Sequence, residues 1–201
     1  KLLFKFDHLE TNDEVIIEQD LIIKTKKIKN FAEYLAFLKS YEIIVDHEER
    51  EKIILKKINS VAKSKQYKEY INLKLLEEVV NIVEDPNLLL VNFNKDYLKI
   101  PQEIIITTLE KNQRYFPIFD SRDRLTNYFF VIANKKDEKK LITEGNKRVV
   151  EARLADAKFF WDKDRSKNLI KQIGNLKSIT FYEKLGTIYD KIQRLRQLAG
   201  L

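Results

Sequence analysis

The first 144 residues of this chain contain no glycine; all four, Gly145, Gly174, Gly186 and Gly200, fall in the last third. Glycine reaches left-handed backbone conformations at little steric cost, so most of the chain is expected to turn on Asn, Asp and Pro instead. The shift in composition also marks an expected boundary. A mixed α/β unit over residues 1–174, closing with a long helix, precedes an all-helical unit that begins at 175 and runs to 201.

The long helix is read from residues 144–164, EGNKRVVEARLADAKFFWDKD. Val150, Leu154, Ala157 and Trp161 recur at the spacing that lines one face of a helix, and Val149 and Phe160 widen the stripe. Arg153 projects beside it, so its stem is expected to be buried. Its guanidinium then needs an anion, either Asp156 or a phosphate from outside.

Ahead of that helix the pattern alternates. Residues 15–24 carry two β-branched clusters around Glu18 and Asp20 and read as strand or hairpin. Asn30 is placed to cap a helix with Phe31, Tyr34, Leu35 and Leu38, and residues 42–46, EIIVD, read as a short buried strand. A helix follows Asp46 with acids in its first turn and Ile53, Ile54, Ile58 and Val61 inward. Residues 63–70 read as a solvated, lysine-rich link.

Asn72 caps the next helix, with Leu76, Val79, Val80 and Val83 inward and Pro86 ending it. Residues 88–93, LLLVNF, form an apolar run of strand length, expected to be covered on both faces. Pro101 opens a helix over 102–113. Two apolar runs, 115–119 and 128–133, flank a polar loop as a hairpin. Helix resumes near Asp137 and reaches Lys167, and residues 179–198 read as a further helix that contains Gly186.

Composition narrows the chemistry. A chain of 201 residues that is 44% hydrophobic and 11% aromatic can bury a real core. It has no cysteine and two histidines, His8 and His47. Disulfides, thiolate nucleophiles and cysteine-ligated zinc are thereby excluded, and two histidines almost forty residues apart are too few for a multi-His metal site. There is no G-x-S-x-G elbow and no phosphate loop ending in G-K-[ST]. No apolar run approaches the roughly 20 residues that span a bilayer, and the first residues lack signal-peptide architecture, so a cytoplasmic location is expected. The chain starts without methionine and stops within a helical pattern, which reads as an excerpt of a longer protein.

The net charge of +7 and pI near 9.3 fit a nucleic-acid partner and equally fit a lysine-rich composition. Lys111, Gln113 and Arg114 cluster where a helix hands over to a strand, beside Tyr115 and Phe116, aromatics that belong either to the core or to a base-stacking surface. On the long helix Lys147, Arg148, Arg153, Lys158, Lys163, Arg165 and Lys167 are interleaved with Glu151, Asp156, Asp162 and Asp164. Pairing along the helix explains most of these bases and explains Lys147 and Arg148 least well. Lys111, Arg114, Lys147, Arg148 and Arg153 are therefore the candidate site residues, as phosphate contacts or as packing at a domain junction.

The segments PQEIIITTLEKNQRYFPIFD, FFVIAN and EGNKRVVEARLADAKFFWDKD, with LLEEV upstream and TFYEKLGTIYDKIQRLRQLAG downstream, resemble the β subunit of the bacterial heterotetrameric glycyl-tRNA synthetase. The resemblance is strong from about residue 73 onward and stays in register at VDHEEREKI. The family often carries methionine where Leu109 stands, a volume-conserving change. The resemblance implies an α+β domain similar to the editing domain of phenylalanyl-tRNA synthetase, followed by the first helix of a helical HD-type domain. It implies tRNA binding in support of aminoacylation by an α₂β₂ enzyme, with ATP and Mg used through the α subunit and no cofactor or catalytic residue in this segment. Two other roles stay open: hydrolysis of mischarged tRNA, and a purely structural part in subunit assembly.

Overall fold

The computed structural model describes residues 4–19, 22–68 and 70–200. Asp20, in the expected hairpin, and Glu69, in the expected link, lie outside the described residues. The chain divides into two compact units, Lys1–Glu151 and Ala152–Leu201. The domain boundary expected from the sequence lies at 174/175.

In the first unit a two-residue hairpin, β1 (Lys5–Phe6) and β2 (Leu9–Glu10), precedes the antiparallel ribbon of β3 (Glu14–Gln19) and β4 (Ile22–Lys27). Of the ribbon's described side chains only Ile17 is buried. Helix α1 (Phe31–Lys39) starts at Asn30, whose side chain accepts the Glu33 N–H at 2.9 Å, and Leu38 faces inward.

The short buried strand expected over residues 42–46 does not form. Glu42 takes φ 60°, and residues 43–46 run as an irregular connection that pairs with no strand among the described residues. Arg50 supplies the missing partners. Its Nη1 donates to the carbonyls of Ile44 at 2.6 Å and Val45 at 2.9 Å, and its Nε donates to Val80 at 2.9 Å. One guanidinium thus satisfies two carbonyls of the irregular connection and one from the last turn of the helix that contains Val80.

Helix α2 (His47–Lys65) is capped by Asp46, carries Glu48 and Glu49 in its first turn and Lys63 and Lys65 in its last, and buries Ile54, Ile58 and Ala62. The link expected over 63–70 is consequently shorter, because residues 63–65 complete α2. Tyr67 then bridges to Asp120 and packs against the core. Asn72 caps α3 (Leu73–Ile82) by accepting from Lys74 and Leu75, and Leu75, Leu76, Val79 and Val80 turn inward.

The main sheet is antiparallel in the order β5-β7-β6, built from β5 (Asn87–Asn92), β6 (Phe116–Phe119) and β7 (Leu125–Ala133). Strand β5 is therefore an edge strand. Its alternation gives each face a covering. Leu88, Leu90, Tyr128, Phe130 and Ile132 share one face with Ile54 and Ile58 of α2 and Leu76, Val79 and Val80 of α3. On the other face Phe93 and Tyr115 stack against Phe129. The polar loop expected over 121–127 contracts, because residues 125–127 continue β7. Asp120 closes the turn, accepting from the N–H groups of Arg122 and Arg124 and pairing with the Arg124 side chain at 2.9 Å. Buried Asn127 is satisfied by donating to the Phe93 carbonyl at 2.7 Å.

Among the described residues six non-glycine residues take left-handed φ values: Asp7, Glu42, Gln66, Arg114, Asp123 and Lys140. All six lie in the glycine-free stretch. Aspartate serves at two of them, as expected, while Glu, Gln, Arg and Lys serve at the rest against a local steric cost.

Helix α5 (Leu141–Arg165) belongs to the first unit up to Glu151 and to the second from Ala152. In the second unit it is followed by α6 (Leu169–Gln172), a 3₁₀ turn over Ile173–Ser178, a hairpin of β8 (Thr180–Tyr182) and β9 (Gly186–Thr187), and α7 (Ile188–Leu198). The helix expected from 179 thus begins only at Ile188. Thr187 and Asp190 form a reciprocal capping box that fixes this start. Gly186, at φ 80°, lies in the hairpin, where an added Cβ would meet the Asp190 carboxylate at 2.5 Å. Its role is to admit the cap rather than a neighbouring helix.

Candidate nucleic-acid interface

Helix α4 (Gln102–Thr107) follows Pro101 and passes into a π-helical turn over Thr108–Asn112. Thr108 donates its hydroxyl back to the Ile104 carbonyl at 2.8 Å, a side-chain competitor of the kind that loosens a helical ladder. The chain reverses at Arg114, whose φ of 60° lets the Tyr115 N–H reach the Leu109 carbonyl at 2.9 Å. Lys111 and Arg114 are carried on this turn with exposed side chains.

Tyr115 ties the turn to the start of α5. Its ring is buried and stacked on Phe129 at 5.2 Å, and its hydroxyl donates to Asn146 Oδ1. The Asn146 Nδ2 donates in turn to the Ile142 carbonyl at 2.7 Å, which fixes the amide's orientation. Burial pushes the Tyr115 phenol above the usual tyrosine range. Asp137 anchors the same end of α5 by accepting from the N–H groups of Ile142 and Thr143. Lys147, half-buried, and Arg148, exposed, follow Asn146 on α5.

Two carboxylates accompany these bases. Glu110 accepts from Asn72 Nδ2 at 2.9 Å and from the Tyr70 hydroxyl at 3.5 Å. Glu78, on α3, pairs with Arg114 at 2.6 Å, while Arg114 also donates to the Lys111 carbonyl. Among the described residues Lys111, Lys147 and Arg148 have no acidic side chain within ion-pair distance.

Arg153 is not part of this group. It lies in the second unit, and its side chain is exposed, contrary to the expected burial. The apolar stripe is narrower than expected: Val150 and Leu154 are fully buried, whereas Val149 and Phe160 are 44% and 58% exposed. Without a broad apolar seat the arginine stem has nothing to lie against, and among the described residues it pairs with neither Asp156 nor another acid. Expected pairing along α5 reduces to one ion pair, Lys158 with Asp162. Lys163 and Arg165 instead lie over the rings of Phe159 and Trp161 at 5.6 and 5.8 Å.

Of the two readings of Tyr115 and Phe116, the core reading holds, since both are buried. The roles of Glu78 and Asn146 are absent from the sequence reading. Only the Asp137 cap had a legible signal, an aspartate shortly before an apolar-periodic run. Among the described residues no group of three His, Asp or Glu side chains is placed to hold a metal ion, and no helix is long and apolar enough to cross a membrane.

The first unit is an α+β fold that carries, among its described residues, bases without acidic partners on a turn and on a helix start. The chain matches the family model of the glycyl-tRNA synthetase beta subunit over residues 2–201, and it belongs to that family. It is 36% identical over 197 residues to the glycine–tRNA ligase beta subunit of Thermodesulfovibrio yellowstonii, covering 98% of this chain and 29% of that protein. The corresponding subunit of Dictyoglomus thermophilum is 42% identical over 173 residues, or 86% of this chain and 25% of that protein. That of Acidovorax ebreus is 44% identical over 126 residues, or 62% of this chain and 18% of that protein. The chain thus spans less than a third of the length of these relatives.

Proposed function

We propose that this chain is the tRNA-associated portion of a glycine–tRNA ligase β subunit, supporting tRNA binding and ATP-dependent glycylation by an α₂β₂ enzyme in the cytoplasm. In this reading the activating site, with its ATP and Mg, belongs to the α subunit, and this segment is non-catalytic. The α/β part is akin to the editing-type domain of phenylalanyl-tRNA synthetase, and the segment from 175 opens an HD-type helical domain. Family membership over nearly the whole chain supports the assignment.

The observation that carries the tRNA contact is that Lys111, Lys147 and Arg148 have no acidic partner among the described residues and stand on two segments joined by the Tyr115–Asn146 bond. Bases held in this way gain by releasing counterions from phosphates. The test is charge reversal at Lys147 and Arg148 in the intact enzyme. The expected result is weaker tRNA binding, a lower kcat/KM for glycylation, and a salt dependence flattened by about 0.7–0.9 per lost contact. Unchanged glycylation and an unchanged slope would remove the interface reading.

A further inference from the structure

We propose that Glu78 is a built-in competitor that sets the availability of Arg114 to a phosphate, an inference that rests on the interface proposed above. The Glu78 carboxylate lies 2.6 Å from Arg114 Nε, and the two side chains remain 54% and 46% exposed. A pair so open to solvent contributes little to folding.

The turn is held in place by other bonds. Tyr115 and Arg114 donate their backbone N–H groups to Leu109 and Glu110, and the Arg114 guanidinium donates to the Lys111 carbonyl. Asn72, the cap of α3, binds Glu110 and so already links α3 to the same turn. The Glu78–Arg114 pair is therefore spare as a structural tie.

It is not spare electrostatically. Of the four candidate bases, Lys111, Lys147 and Arg148 have no acidic partner among the described residues, and Arg114 alone is neutralised. Of the two acids, Glu110 is engaged by Asn72 and Tyr70, which leaves Glu78 facing Arg114. A phosphate offers a guanidinium the same oxygen geometry as a carboxylate. An RNA backbone arriving at Lys111 and Lys147 meets Arg114 by exchanging one anion for another, and the charge of Glu78 subtracts from its affinity.

The experiment measures the Kd of the full-length β subunit, assembled with its α subunit, for a transcribed glycine-accepting tRNA across a salt series. Glu78→Gln is expected to tighten binding roughly two- to fivefold, the range an exposed ion pair is worth, with a melting temperature lowered by at most a few degrees. In an Arg114→Gln background that gain disappears. An unchanged or weakened Kd for Glu78→Gln, or a gain that persists without Arg114, overturns the proposal. Lys111→Glu and Lys147→Glu are measured alongside. If both leave binding unchanged, the interface reading falls and this inference with it; if they weaken binding while Glu78→Gln has no effect, the inference alone falls.

Discussion

The hydroxyl of Tyr115 donates to the side chain of Asn146, and this bond joins the turn after α4 to the start of α5. Tyr115→Phe keeps the stacking on Phe129 and removes only the donor. The expected cost is about 1 kcal/mol in denaturant unfolding. The same phenol titrates above its ordinary value near 10 because burial disfavours its charged form. Its contribution is complete below the unfolded value and is lost as pH rises through the raised folded one. Stability should therefore fall above roughly pH 10, and less steeply in Tyr115→Phe.

Gln66 ends α2 at φ 55° and ψ 36°, with an exposed side chain and an N–H donating to Ala62 and Lys63. Gln66→Gly removes the Cβ penalty without removing a contact. It is expected to stabilise the protein by about 1 kcal/mol, and calorimetry should show a rise in Tm of roughly 2–4 °C. A fall in Tm would show that glycine's added freedom in the unfolded chain outweighs the relief.

Arg50 is expected to behave as part of the backbone scaffold. Arg50→Met preserves much of the stem and leaves the carbonyls of Ile44, Val45 and Val80 without their charged donor. The expected destabilisation is about 2 kcal/mol, with faster hydrogen exchange confined first to residues 43–46. A loss below about 0.5 kcal/mol would mean that water replaces the guanidinium.

Sequence pattern recovered the parts of this fold that depend on local rules. Asn30, Asp46 and Asn72 each precede an apolar-periodic run and each caps a helix. The helical stripe of α3 and the pairing of β6 with β7 follow from periods of 3.6 and 2. Patterns governed by distant partners were not legible. Residues 42–46 have strand composition, yet their carbonyls are taken by an arginine on the next helix. Residues 179–187 keep helical spacing, yet Gly186 and the Thr187–Asp190 box divert them into a hairpin. The box itself has a sequence signature, T-x-x-D, which the apolar spacing around it masked.

The site divided along the same line. The bases at Lys111, Arg114, Lys147 and Arg148 stood out as clusters at a helix end and a helix start. Glu144 and Glu151 lie at helical spacing from Lys147 and Arg148, yet among the described residues neither pairs with them, and Glu151 instead accepts from the Asn94 N–H at 3.0 Å. The two segments that carry these bases are joined by Tyr115 and Asn146, 31 positions apart, and neutralisation of Arg114 depends on Glu78 of another helix. Arg153 misled because its neighbours promised a broad apolar seat, and Val149 and Phe160 face outward.

The central claim is that tRNA lies against the face carrying Lys111 and Lys147. Site-specific photo-crosslinking in the assembled enzyme tests it most directly, with the crosslinker at position 147 and, for comparison, at exposed Lys56 on α2. The account predicts tRNA adducts from position 147, reduced by competing unlabelled tRNA and by salt, and fewer from position 56. Adducts from position 56 with none from position 147 would contradict it.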